Sequence, residues 1–178
     1  MVGEISDGDG HEADARASMS GSVDKGAVFS TLACIGFFQR GGRVESWIDA
    51  YLRQAEWANE GLRQGLRLQK RWWIGPRLLA LRDLERCCGP EPEMTYSEPE
   101  DQWLAKIRRL ERRLREPERM PPTIVQYDGK GLVVRDGNHR MAAFQRAKWR
   151  RCYAFIWCDS AVAVAGFMRS YAPIRPVT

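Results

Sequence analysis

The chain has 178 residues, 44% hydrophobic and 29% charged, which fits one folded domain with a sizeable core and excludes wholesale disorder. Its 28 Lys and Arg against 23 Asp and Glu leave a formal charge of +5, and its two histidines, His11 and His139, argue against a multi-histidine metal centre. The charge is uneven, because residues 1–26 carry −4 and the remainder therefore +9, a balance that favours polyanionic partners such as nucleic acid or nucleotide. All but five of the basic residues are arginines, whose planar forks suit phosphate and carboxylate.

Residues 1–26, rich in Gly, Ser, Asp and Ala without an apolar period, read as a flexible acidic leader. No positively charged start precedes an apolar run, and the five cysteines (Cys34, Cys87, Cys88, Cys152, Cys158) show no Cys-x-x-Cys spacing. Buried thiols in a cytoplasmic protein fit best. The apolar stretch Val28–Phe38 is too short to span a bilayer and reads as core or as an interfacial segment, leaving peripheral contact with the inner membrane open. Val44, Trp47, Ile48, Tyr51, Leu52 and Ala55 share a helical face, and Leu62 and Leu66 extend the pattern to about Gln69, with a break suggested at Gly61 and Gly65. Residues 27–73 thus form a helical extension, and 74–178 form the main domain.

Trp72-Trp73-Ile74-Gly75-Pro76 reads as a junction. Leu78–Leu81 is a short apolar run, a strand or the start of a helix, and proline-rich Cys88–Pro99 is a loop. Ser97 followed by Glu100 resembles a capping box for a helix over about 98–115. Trp103, Ile107, Leu110 and Leu114 form its buried stripe, with Lys106, Arg108, Arg109, Arg112, Arg113 and Arg115 around it. Thr123–Tyr127, the Asp128-Gly129 turn and Gly131–Val134 read as a β-hairpin. A helix over about Asn138–Lys148, a strand Cys152–Trp157 and a helix Ala161–Ser170 capped by Asp159-Ser160 complete an α+β pattern.

The chemistry concentrates in Arg135-Asp136-Gly137-Asn138-His139-Arg140, at a strand-to-helix junction. A helix start offers unpaired N–H groups and a positive dipole end, Gly137 permits close backbone approach, and Asn138 or Asp136 can cap the helix. Cations in the first turn oppose the dipole, so His139 and Arg140 imply an anionic partner.

The run Pro122–Val125, Leu132–Val134, Asp136-Gly137-Asn138-His139-Arg140, Ala142-Ala143 and Tyr153–Trp157 resembles the ParB/sulfiredoxin superfamily, whose pattern is a hairpin, a Gly-x-(His or Arg)-Arg turn, an Ala-rich helix and a strand. The match covers about 40 residues and extends loosely to Leu78–Arg86. The resemblance implies a compact α+β fold with a small mixed sheet flanked by helices, binding ATP with Mg²⁺. Gly137, Asn138, His139, Arg140 and Arg86 would hold the phosphates. Asp136 and Glu85 would hold the metal, and Glu85 would activate water. Asn138 stands where sulfiredoxins have cysteine, which disfavours sulfinic-acid reduction. Thirty-eight residues follow Arg140, too few for the helix-turn-helix domain of partition proteins.

The resemblance implies a stand-alone ParB-like hydrolase, an ATPase and nuclease that binds DNA without sequence preference through Arg108, Arg109, Arg112, Arg113, Arg146, Arg150 and Arg151. Some plasmid-borne members inhibit conjugative DNA transfer, and the oncogenic-suppression type is the candidate here, which implies a protein partner in a DNA-transfer system. Two alternatives share the nucleotide turn. One is a small-molecule kinase of the serine type. The other is a non-catalytic, nucleotide-gated inhibitor that docks through Trp72, Trp73 and Val28–Phe38.

Overall fold

The computed structural model describes residues 27–54 and 58–171, so the expected leader at 1–26 lies outside the described residues. A 3-10 turn, Ala27–Phe29, leads into three helices: α1 (Thr31–Gln39), α2 (Val44–Leu52) and α3 (Glu60–Arg67). Then come β1 (Trp72–Ala80), β2 (Leu84–Arg86), β3 (Cys88–Gly89), β4 (Tyr96–Ser97) and α4 (Glu100–Glu111). The chain continues through β5 (Thr123–Tyr127), β6 (Leu132–Asp136), α5 (Asn138–Arg146), β7 (Arg151–Cys158) and α6 (Ala161–Ser170).

Five strands make one mixed sheet in the order β1-β7-β5-β6-β2, with β5 at its centre. β1–β7 and β5–β6 are antiparallel, whereas β5–β7 and β2–β6 are parallel. The period-2 alternation of β7 sorts its side chains between two faces. Cys152, Ala154, Ile156 and Cys158 join Val125, Tyr127, Met141 and Phe144 of α5, and Phe167 of α6, in one buried cluster. Phe155 and Trp157 join Ile124, Cys34 of α1, and Trp47, Ile48, Tyr51 and Leu52 of α2 in the other. The sheet is therefore sandwiched, and the N-terminal helices are one of its covering layers. The fold is α+β, as expected.

α4 packs alongside α5 through Trp103, Ile107, Ala142 and Ala143. The expected stripe of α4 is in place, with Trp103 and Ile107 buried and Leu110 and Leu114 packed at the edge of the cores. Its start is not. The N-cap residue is Pro99 with no side-chain cap, because Ser97 is taken up in β4, which pairs with β3 inside the expected loop. Ser160 does cap α6, accepting from Ala163 N at 3.1 Å.

Two further expectations shift. The helical pattern over 44–69 divides before Asn59, which caps α3 by accepting from Leu62 N, so both Gly61 and Gly65 lie inside α3. The expected junction Trp72–Pro76 is the first half of β1; a register irregularity between Ile74 and Arg77 lets the Gly-Pro step sit in an edge strand paired to β7. Trp73 packs edge-on against Trp157, and Trp72 packs on the core, both half-buried. Of the apolar segment, Phe29 and Cys34 are buried, while Val28, Leu32 and Ile35 are exposed. Among the described residues, no helix is long and apolar enough to cross a membrane.

Candidate functional site

The turn between β6 and α5 is shaped by an irregularity upstream. β6 pairs Val134 with Val125 but Asp136 with Ile124, so Arg135 is an extra residue and the strand re-aims at its end. Asp136 thereby reaches the α2 side of the sheet, where Tyr51 OH donates to its Oδ2 at 3.0 Å and Asn59 Nδ2 donates to its Oδ1 at 3.2 Å. Gly137 follows at φ +96°, a left-handed conformation, and serves as the N-cap residue of α5. A Cβ at Gly137 would lie 2.8 Å from Arg140 Nη2 and 2.9 Å from Thr123 Cγ2, so both conformation and space demand glycine. No side chain caps α5, so neither Asp136 nor Asn138 plays that expected part.

Arg140 is not placed as a phosphate ligand. Its side chain is 2% exposed. Nη1 donates to the carbonyls of Pro121 (2.5 Å) and Pro122 (3.2 Å), while Nη2 donates to Tyr51 OH (2.7 Å) and Asp136 Oδ2 (2.8 Å). The guanidinium also lies over the Tyr51 ring, 5.7 Å from its centroid. Burial pushes the Tyr51 hydroxyl well above its ordinary range, with Arg140 opposing and Asp136 reinforcing, so it serves as a neutral link between cation and carboxylate. This network ties α2, β6, α5 and the Pro121-Pro122 entry to β5 into one unit.

Asn138 is likewise committed to the scaffold. Its side-chain oxygen accepts from Cys87 N (3.0 Å) and Cys88 N (3.3 Å), and Nδ2 donates to Val134 O (3.2 Å). Arg86 pairs with Glu91, lies over the Trp103 ring and does not line the cleft beside the turn. Glu85 is exposed on the edge strand β2, in register with Val133, and does not line the cleft beside the turn. Asp136 already accepts from three side chains. Mg²⁺ held by Asp136 and Glu85 therefore does not fit, and among the described residues no three His, Cys, Asp or Glu side chains gather to hold a metal ion.

His139 lies in the first turn of α5 and is half-buried. It lines a cleft of about 1320 Å³ together with Arg53, Asn59, Lys106, Arg109, Arg113 and Gly137. Its ring lies 4.4 Å from that of Trp103, and Nε2 is 2.7 Å from Glu98 Oε2. Lys106 Nζ lies 2.5 Å from the other oxygen of Glu98. Desolvation would raise Glu98, but hydrogen bonds from Lys106 and His139 hold its carboxyl below the ordinary range. Burial lowers His139 below its ordinary value of 6.5 despite the Glu98 carboxylate. With Nε2–H donated to Glu98, the neutral ring presents Nδ1 as an acceptor.

Of the expected DNA contacts, Arg109 and Arg113 line the cleft, while Arg108 and Arg112 are exposed on the far side of α4. Arg146 bonds Glu111 at 2.6 Å, and Arg150 and Arg151 are exposed where β7 begins. Glu98, Tyr51 and Asn59 were missed from sequence: they lie 41, 88 and 80 residues from His139 and carry no local motif. No known protein family and no curated protein matches the chain.

Proposed function

We propose that the chain is a nucleotide-binding protein of the ParB/sulfiredoxin type that holds phosphate in the cleft at the start of α5 and contacts DNA through α4. One observation carries this reading: Lys106, Arg109, Arg113, Arg53 and His139 surround the uncapped, glycine-led N-terminus of a helix in a single cleft. The N–H groups of a helix start and cations across from them are complementary to a phosphate chain. Lys106, Arg109 and Arg113 take the part that the motif alone assigns to Arg140. The ATPase part of the proposal rests on His139. Its Nδ1 would accept a proton from water attacking a terminal phosphoryl group, while Glu98 orients the ring. The exposed Arg108 and Arg112 would follow a DNA backbone without reading bases.

Calorimetric titration with ATP and a phosphate-release assay test this, each with and without duplex DNA. Arg109→Ala is expected to weaken ATP binding by about tenfold. His139→Gln is expected to leave binding nearly intact and to slow phosphate release by about a hundredfold or more. Wild-type protein that takes up no nucleotide would refute the reading.

A further inference from the structure

A second cavity adjoins the cleft across the turn. It is a groove of about 620 Å³ between α3 and the sheet, and Asn59, Asp136, Gly137 and His139 line both spaces. The two differ in character. The cleft is walled mainly by cations, whereas the groove is walled by Gly61, Leu62, Gly65 and Leu66 of α3 and by Trp157 of β7, with Arg71 and Arg135 also on its lining.

Three observations mark the groove as a ligand space. Trp157 is 4% exposed, yet among the described residues its indole Nε1 has no hydrogen-bond partner, an uncommon state for a buried donor. Among the described residues, a Cβ at Gly61 or Gly65 would meet nothing within 4 Å, so α3 leaves open space along this side. Tyr96 and Leu68, two of the few large hydrophobic residues left exposed, stand on the lining of the groove. The volume falls within the range of small-molecule sites, and the lining is largely apolar with a few polar groups, as such sites are.

We infer that the groove takes the base of the nucleotide whose phosphates lie in the cleft, the chain crossing between them over Gly137. The inference rests on the nucleotide reading above. A base is planar and uncharged, suits walls built from leucine, glycine and indole, and stacks on an exposed aromatic ring such as Tyr96. Gly137 is where such a ligand would cross, because a side chain there is excluded by the packing of Arg140 and Thr123 beneath it.

The test compares inorganic tripolyphosphate with ATP, CTP, GTP and UTP, titrated calorimetrically into wild type, Gly65→Leu and Arg109→Ala. Leucine at position 65 fills the groove and favours helix over glycine, so the variant is expected to fold; circular dichroism checks this. At least one nucleoside triphosphate is expected to bind about tenfold more tightly than tripolyphosphate to wild type. Gly65→Leu should erase that advantage and leave tripolyphosphate affinity unchanged. Equal affinity of all four nucleotides and tripolyphosphate for wild type, or an advantage that survives in folded Gly65→Leu, would overturn the groove assignment alone. Absence of any binding to wild type, or tripolyphosphate affinity indifferent to Arg109→Ala, would overturn the phosphate cleft and the inference with it.

Discussion

Two groups of cations face the same cleft and do different things. On the α2 side, Arg140 is desolvated and spends its donors on two carbonyls, a phenol and a carboxylate. On the α4 side, Arg109 is exposed and makes no ion pair among the described residues, while exposed Lys106 is paired with Glu98, on a helix whose opposite stripe supplies the packing. A phosphate reaching Arg140 would have to compete with an Asp136 carboxylate already in place, in a setting where an unpaired charge is costly. A phosphate reaching Arg109 displaces only water. Residue type and proximity to a cavity therefore do not decide a role; prior commitment of the donors does.

The comparison breaks first at Arg140. Replacing it by alanine leaves Asp136 and two carbonyls without their main donor and is expected to destabilise the fold by about 3–5 kcal/mol, read from urea unfolding. If Arg140→Ala unfolds at the wild-type midpoint, the network is not structural and the arginine is available to a ligand after all. Gly137→Ala comes next. The left-handed backbone costs about 1–3 kcal/mol for a residue with a side chain, before the close approach to Thr123 is counted. Asn138→Ala strips the acceptor from the Cys87 and Cys88 amides and should cost about 1–3 kcal/mol by the same measurement.

A pH dependence sharpens the contrast on the other side. His139 is lowered in the fold relative to its ordinary 6.5, so the unfolded chain binds its proton more readily. The stability tied to it is complete above 6.5 and is lost as pH falls below that value. Glu98 is also lowered, so its contribution is present above its ordinary 4.5 and is lost as pH falls through its lower folded value. Unfolding midpoints measured from pH 8 to pH 4 should thus decline on acidification, and His139→Gln should flatten the upper part of the decline. An unchanged profile in His139→Gln would remove the histidine from the linkage.

Much of the scaffold was legible because it is written locally. The β-branched run of β5 and the Asp128-Gly129 turn give the central hairpin, where Asp128 accepts from Lys130 N and Gly131 N. Ser160 and the stripe Trp103–Ile107 likewise need only their neighbours. β1 was not legible across Gly75-Pro76, since what keeps that step extended is pairing with β7, about eighty residues away. The site was half legible. Basic residues in the first turn of α5 do find anionic partners, but the chain supplies them itself: Asp136 pairs with Arg140, and Glu98 accepts from the neutral His139 ring. Those assignments depend on the bulge in β6 and on where α4 lies against α5, which no spacing within the motif encodes.

The smallest effect on the fold belongs to Arg109, and it is the one that separates the two groups most cleanly. Arg109 is exposed and makes no ion pair among the described residues, so Arg109→Ala should shift stability by less than about 0.5 kcal/mol. It should nonetheless weaken binding of a polyanion. If the side chain neutralises a phosphate, the slope of log affinity against log salt should fall by about one. Titration of duplex DNA at several salt concentrations reads that slope directly. A variant with wild-type stability and a shallower slope assigns the α4 ridge to ligands. An unchanged slope returns Arg109 to the ordinary solvated surface.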